Sequence, residues 1–453
     1  MKRILIYLSF LTILCLGPDR LPLLGILWAE PVPSPIDAAE EAALEEPTGS
    51  VTLEQAVTLA LSRHPELKAV SREVHALDAQ ARQAGLLPNP ELEIETENFG
   101  GQGEFRDFDS AETTIQLRQL VELAGKRSKR KGLALLEQNL GEWDYAMKRA
   151  AVQAQVTRAF VATLAAQERM ALKKEAVALA ERVLNAVTDR FKAGKVSSLE
   201  ETRAGVAYSR SLIELERAKH RLEAARRGLA ATWGSPNPLF KNLSGSLDPI
   251  RPLPSLNDLA QHISRNPEMA RWATEMKQRK AVVKLEMAKR VPDVKVGGGW
   301  RRSKESEDDA YVMNLSVPLP FFNQNQGNVQ AARQRLVKAE EEKKMTELRI
   351  SSELAAAYQV LSTAYFEAET LKEKVLPGAQ RTFDATTEGY RLGKFDYLLM
   401  LDAHRTLFDV RDQYIEALAS YHNGVAEVER LIGGPMYSDA EKPVENTQGA
   451  SVL

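Results

Sequence analysis

The chain is written twice. Ser62-Arg63-His64-Pro65-Glu66-Leu67 returns as Ser264-Arg265-Asn266-Pro267-Glu268-Met269, about 200 residues further on. Pro90-Glu91-Leu92-Glu93-Ile94 returns as Pro292-Asp293-Val294-Lys295-Val296 at the same spacing. Later, Phe191-Lys192-Ala193-Gly194-Lys195 matches Tyr390-Arg391-Leu392-Gly393-Lys394. Three landmarks in one order exclude chance similarity, and a period of about 200 residues is too long for a solenoid unit. The chain is therefore a duplicated half, 51–232 and 256–432, joined by a proline-rich linker over 233–255. Any element assigned in one half needs a counterpart in the other.

Each half has the same grammar. A helix comes first, over 52–87 and 256–290, followed by two short extended segments. A very long helix follows, over 127–191 and 327–391, then a tight turn at Gly194 or Gly393, then a closing helix over 197–232 or 396–431. In the first long helix Leu133, Leu136, Leu140, Trp143, Met147 and Ala150 step by three and four, which is coiled-coil spacing. Val152, Val156 and Phe160 form a second stripe beside it, so this helix expects a neighbour on each side. At about 1.5 Å per residue the long helix spans roughly 97 Å, close to two of the shorter helices stacked end to end. An ordinary antiparallel coiled coil would satisfy the helices alone.

The extended segments, over 91–99, 111–122, 293–301 and 310–318, argue otherwise. Leu92, Ile94 and Thr96 alternate with Glu91, Glu93, Glu95 and Glu97, and Tyr311, Met313 and Leu315 alternate with Val312, Asn314 and Ser316. A period of two gives each strand one mostly apolar and one mostly polar face. Their length is near the ~9–11 residues with which a tilted strand crosses a bilayer. Four strands cannot close a membrane barrel, and an open edge in lipid leaves backbone groups unsatisfied. If these strands insert, several chains must share the barrel. Glu91, Glu93, Glu95 and Glu97 would then line its lumen, where they either favour cations or simply face water. Gly297-Gly298-Gly299, inside a strand pattern, reads as barrel backbone.

The ends carry separate signals. Lys2 and Arg3 precede an apolar run from Ile4 to Leu16, and Leu21 to Ala29 is apolar again. This reads as a secretory signal over 1–29. Lipidation of Cys15, the single cysteine, is poorly placed because Leu14 stands where a small residue is wanted. Residues 30–50 are proline- and acid-rich and expected to be irregular, and 433–453 read as a mobile polar tail. With 60 Lys+Arg against 62 Asp+Glu, the chain lacks the basic field of a nucleic-acid binder. Its six histidines do not cluster at metal-ligand spacing. No nucleophile elbow or phosphate-binding glycine motif is present, so the chain reads as no enzyme and as needing no cofactor.

The arrangement resembles the TolC-type outer-membrane efflux proteins over roughly 51–432. The resemblance rests on Leu53-Glu54-Gln55-Ala56 through His64-Pro65-Glu66-Leu67, on Leu87-Pro88-Asn89-Pro90, and on the two glycine turns. It implies a homotrimer with a twelve-stranded β-barrel in outer-membrane lipid, continued across the periplasm by a long α-helical barrel. It also implies a periplasmic adaptor and an inner-membrane pump as partners. Gln119-Leu120-Val121-Glu122-Leu123-Ala124-Gly125-Lys126-Arg127 and Val317-Pro318-Leu319-Pro320-Phe321-Phe322 resemble the heavy-metal cation branch. The same duct exporting drugs, solvents or a protein is the close alternative, and a periplasmic adaptor or a structural coiled coil are alternatives of another class. The resemblance places Gly194, Lys195, Gly393 and Lys394 at adaptor-docking tips. It assigns Asp402 to an acidic gate ring and Tyr390 and Glu200 to polar gate links. Leu399 stands where relatives carry a second acidic ring, and Phe395 where they carry an arginine.

Overall fold

A computed structural model describes residues 46–437. The expected leader over 1–29 with Cys15, residues 30–45 and the tail beyond 437 lie outside the described residues.

The opening helix of each half is broken, where one helix was expected. α1 (Leu53–Arg63) starts from a capping box in which Thr52 and Gln55 bond each other's backbone. It stops at His64, because Pro65 has no N–H to continue the ladder. α2 (Pro65–Ala84) restarts at once, with the His64 ring accepting the Glu66 N–H at 3.3 Å. The second half repeats this device. A short α5 (Leu256–Ala260) and one 3₁₀ turn precede α6 (Pro267–Ala288), capped by Asn266 Oδ1, which accepts the Glu268 N–H at 2.8 Å.

α3 (Lys126–Lys192) runs unbroken for 67 residues, roughly 100 Å. Its counterpart does not. α7 (Gln326–Thr370) passes through a π-helical turn at Leu371–Val375 before α8 (Leu376–Arg391). Pro377 explains the break in the expected 327–391 helix. Its ring clashes with the carbonyl four residues back, and one wider turn relieves the clash. α4 (Ser198–Ala231) and α9 (Tyr397–Ile432) close the two halves.

The short helices stack into columns. The end of α4 meets the start of α2, where Gly234 lies against the Pro65 ring. The end of α9 meets the start of α6, where Asn266 Nδ2 donates to the carbonyls of Leu431 (2.9 Å) and Arg430 (3.3 Å). Gly433, at φ 73°, turns the chain at this joint, and a Cβ there would sit 2.5 Å from the Arg265 carbonyl oxygen. The tail is consequently packed through 437. Met436 is buried, and the Tyr437 hydroxyl donates to the Arg251 carbonyl at 3.3 Å.

The linker forms part of the core. β1 (Ser50–Val51) pairs in parallel with β4 (Asn242–Leu243). Trp233, Phe240, Leu243 and Leu247 bury against Val152, Val156, Phe160 and Leu164 of α3. The second stripe on α3 therefore packs under this belt.

β2 (Glu91–Glu97), β3 (Glu112–Val121), β5 (Val294–Ser303) and β6 (Asp309–Ser316) form one antiparallel sheet in that order. Above the belt, α2, α3, α6 and α7 pack in the same sequence of neighbours. Register puts Leu92, Leu117, Gly298 and Met313 in one row and Glu93, Gln116, Gly299 and Val312 in the next. The sheet is inside out. Leu92 is 67% exposed and Met313 89%, whereas Thr114 and Gln116 on the other face are 2% and 4% exposed. Gly299 permits this curl, since a Cβ there would fall 2.3 Å from the Ile115 carbonyl oxygen. No described helix is long and apolar enough to cross a membrane.

Gly433→Ala should lower the unfolding free energy by about 2 kcal/mol or more, from left-handed strain and the backbone clash. Chemical unfolding should show this, while Gly434→Ala, with open space around it, should change stability by under about 0.5 kcal/mol.

Candidate functional site

Two regions carry the chemistry: the paired hairpin tips and the polar face of the sheet. Both tips are built alike. Gly194 (φ 68°) and Gly393 (φ 72°) take the left-handed conformation that glycine adopts without strain. In the first turn Gly194 N–H bonds Phe191 O at 2.8 Å and Lys195 N–H bonds Arg190 O at 2.9 Å. In the second, Gly393 N–H bonds Tyr390 O at 3.0 Å and Lys394 N–H bonds Gly389 O at 2.8 Å. Each is a Schellman motif that satisfies the last carbonyls of a helix. The return helices are capped by Ser197 Oγ on Glu200 N–H and by Asp396 Oδ1 on Leu399 N–H, at 3.4 and 2.9 Å. Lys195 and Lys394 are exposed.

The tips touch each other. Arg190 Nη1 donates to the Tyr390 carbonyl at 3.1 Å, and its guanidinium lies 4.6 Å from the Tyr390 ring centre. Val187 and Ala204 pack with Tyr390, Tyr397 and Met400. The Tyr390 and Tyr397 hydroxyls are buried with no hydrogen-bond partner among the described residues, and burial pushes the Tyr397 phenol up. Glu200 is half-buried at the start of α4, and no hydrogen bond joins it to Tyr390 among the described residues. Phe395 folds back over Gly389, where a Cβ would lie 2.1 Å from its ring. Asp402 and Leu399 line one groove of about 250 Å³ between α8 and α9, with Val375, Ala379 and Thr382 opposite. Asp402 is exposed and has no ion-pair partner among the described residues. The structure thus brings Asp402 and Leu399 together and holds Tyr390 away in the tip core.

Sequence reasoning missed three features here. Arg190 clamps the tips. Arg169 pairs with Asp412 at 2.9 Å and also with Glu416, and Lys173 adds a 3.4 Å contact to Asp412, tying α3 to α9. His404 is buried beside the Phe383 ring, 4.6 Å between centres, and 3.4 Å from Thr387 Oγ1. Burial lowers the His404 pKa from 6.5 to about 4. The partners of Arg190 and Arg169 lie in the other half of the sequence, so only the tertiary fold joins them.

On the sheet, the four glutamates do not form an uncompensated acidic stripe. Glu93 meets Arg118 at 2.5 Å and Gln116 Nε2 at 2.9 Å, and Glu91 meets Lys295 at 3.1 Å. Arg301 reaches Glu112 at 3.1 Å and Glu97 at 3.9 Å. Glu95, opposite Thr114, has no such partner among the described residues. The basic cluster entering α3 is structural. Lys126 pairs with Asp293 at 2.7 Å and Arg130 with Glu122 at 2.5 Å. Arg127 and Arg130 donate to the last carbonyls around α2, Gly85 at 2.7 Å and Ala84 at 2.9 Å. No three His, Cys, Asp or Glu side chains converge as a metal site among the described residues.

The outer membrane efflux protein family matches residues 56–235 and 259–434. The cobalt-zinc-cadmium resistance protein CzcC of Cupriavidus metallidurans is 35% identical over 390 residues, 86% of this chain and 91% of that relative. The nickel-cobalt-cadmium resistance protein NccC of Alcaligenes xylosoxydans xylosoxydans is 25% identical over 298 residues, 66% of each chain. Crystal structures of CusC share the fold with a TM-score of 0.72 at 16% identity, covering 84% of this chain and 92% of CusC.

His404 gives the tip a defined acid response. Unfolded, its ring titrates near 6.5, and folded near about 4. Between those values the unfolded chain holds more protons, so stability is full above pH 6.5 and is lost as pH falls. Thermal unfolding should show a loss approaching about 3 kcal/mol by pH 4. His404→Gln should remove that part of the slope.

Proposed function

The chain belongs to the outer membrane efflux protein family and is an outer-membrane efflux channel; on that premise we propose that three copies form a closed exit duct for heavy-metal cations. The observation that carries this reading is the inverted sheet, whose two edges are unpaired among the described residues. Its apolar side chains face outward, as lipid requires and water opposes. The edge strands β2 and β6 run antiparallel to each other, since the four strands alternate. β6 of one copy can therefore pair with β2 of the next and keep an antiparallel ladder, which closes only when every edge is used. Three copies give twelve strands, the number that the family resemblance implies.

The helices support the same closure. α2 and the β2 edge lie on one flank, and α7 and the β6 edge on the other. Below the belt α4 packs on α3, and α8 on α9, which leaves unlike edges again. Unlike edges join head to tail, and a head-to-tail contact that closes makes a ring. In this reading the strands sit in the outer membrane and the helices extend into the periplasm, after export by the leader over 1–29. The turns at Gly194-Lys195 and Gly393-Lys394 meet a periplasmic adaptor fed by an inner-membrane pump, and Asp402 with Leu399 lies at the gate.

The metal substrate rests on CzcC and NccC, whose names carry cobalt, zinc, cadmium and nickel resistance. A duct needs no metal cage, because ions must leave it as readily as they enter.

Deleting the gene should lower tolerance to cobalt, zinc or cadmium salts and restoring it should recover tolerance; a strain sensitised to drugs alone would move the substrate to that class. In mild detergent the protein should run at about three times its chain mass, and a periplasmic monomer would sink the trimer.

Replacing Gly194 and Gly393 together with valine should abolish export. Each valine would cost about 1–2 kcal/mol at positive φ. Membrane insertion and the detergent-resistant trimer should persist, as the turns lie far from the strands. Full metal tolerance in that double variant would remove the tips from adaptor docking.

A further inference from the structure

We propose that Arg118, Lys295 and Arg301 are specificity-determining residues of the channel, setting how strongly the strand section prefers cations by neutralising most of its glutamates. The proposal rests on the reading of the sheet as part of a barrel wall. It concerns the face that would then line the bore.

That face carries Glu91, Glu93, Glu95, Glu97 and Glu112 against Arg118, Lys295 and Arg301. The charges are interleaved across strands. Arg118 of β3 crosses to Glu93 of β2 at 2.5 Å, and Lys295 of β5 reaches over β3 to Glu91 at 3.1 Å. Arg301 of β5 bridges Glu112 at 3.1 Å and Glu97 at 3.9 Å, and donates to Thr114 Oγ1 at 2.9 Å. Glu95 alone among these carboxylates has no cation beside it among the described residues.

The wall is shaped to hold these pairs flat. Register sets Gly297 beside Arg118 and Gly299 beside Gln116. A Cβ at Gly297 would stand 2.9 Å from Arg118 Cγ, and one at Gly299 would stand 2.5 Å from Gln116 Cβ. The missing side chains on β5 are the seats into which Arg118 and Gln116 lie. The guanidinium is thus pressed along the sheet toward Glu93, and both partners keep only part of their surface open, 27% and 37%. A charge held against a low-dielectric wall acts more strongly on a passing ion than one on a free tether. Removing one cation would expose its glutamate to the bore and add one negative charge per copy.

The test is the cation-to-anion permeability ratio of the purified full-length protein in planar bilayers, read from reversal potentials across a salt gradient. It is run in the native background and in Asp402→Ala, so that a charged gate cannot mask the strand section. Arg118→Gln should raise the ratio by about two-fold or more, and Arg301→Gln likewise. Glu93→Gln, which leaves Arg118 unpaired, should lower it by a similar factor. The double variant Glu93→Gln with Arg118→Gln should return close to wild type, and Arg118→Lys should match wild type.

Trimeric channels of unchanged ratio in Arg118→Gln and Glu93→Gln, in both backgrounds, would overturn the proposal and leave the barrel reading intact. Wild-type protein that forms neither trimer nor channel would overturn the barrel reading and this proposal with it. Should Arg118→Gln fail to assemble, Glu93→Gln decides alone.

Discussion

The backbone hydrogen bond at the sheet edge governs this molecule. β2 and β6 each present a row of N–H and C=O groups with no strand partner among the described residues, beside side chains such as Leu92, Tyr311 and Met313 that face outward. In water such an edge invites aggregation, and in lipid each unmet group costs several kcal/mol. The described residues of one copy satisfy neither these edges nor this apolar face. In the proposed trimer, assembly and membrane insertion are two answers to one deficit. The alternating strand directions make the answer specific, because an even number of antiparallel strands leaves edges that match between copies.

The helices meet a related problem differently. Each half needs a column as tall as α3, and a short helix stacked on another leaves terminal N–H and C=O groups at the joint. Here the joints are sealed by side chains and glycines. His64 and Asn266 cap the incoming helices, Asn266 also binds the carbonyls ending α9, and Gly433 lets the backbones approach. The proline after each cap removes an N–H that would otherwise need a partner. The repeated His-Pro and Asn-Pro landmarks that reveal the duplication are therefore the joints of the columns. The repeat is visible in the sequence where the physics allows least substitution.

Much of the architecture was legible for that reason. Periodicity of two, the coiled-coil stripes and the Gly-Lys turns are local signals, and each reports a local structure. The breaks at Pro65 and Pro267 were legible too but were read as continuous helix, because hydrophobic spacing carries across a joint between collinear helices. The π turn before Pro377 had no counterpart in the first half to point to it. The candidate site was less visible. Asp402, Leu399 and the tip glycines could be named, but the role of Arg190 depends on Tyr390, and Arg169 depends on Asp412, each from the other half. The glutamates of β2 show why a strand read alone misleads: Glu93 and Glu91 are paired with Arg118 and Lys295, which only strand register reveals.

The two halves diverge where they meet at the tips. Both turns share one backbone motif, yet the second carries Phe395 folded on Gly389 and Tyr397 buried with a bare hydroxyl, while the first offers Arg190. A buried hydroxyl without a partner is costly, and two of them, on Tyr390 and Tyr397, lie in one small cluster. Such a cluster is held by packing, by the Arg190 guanidinium over the Tyr390 ring and by its one hydrogen bond to the Tyr390 carbonyl, with no ion pair at Arg190 among the described residues. The middle of the hairpins is different, since Arg169 and Lys173 share Asp412 between α3 and α9. The link between the halves therefore weakens toward the tips. Hairpins clasped by charge midway and held mainly by packing at their ends are stiffest near the belt and can part at the tip, where the proposed duct would open.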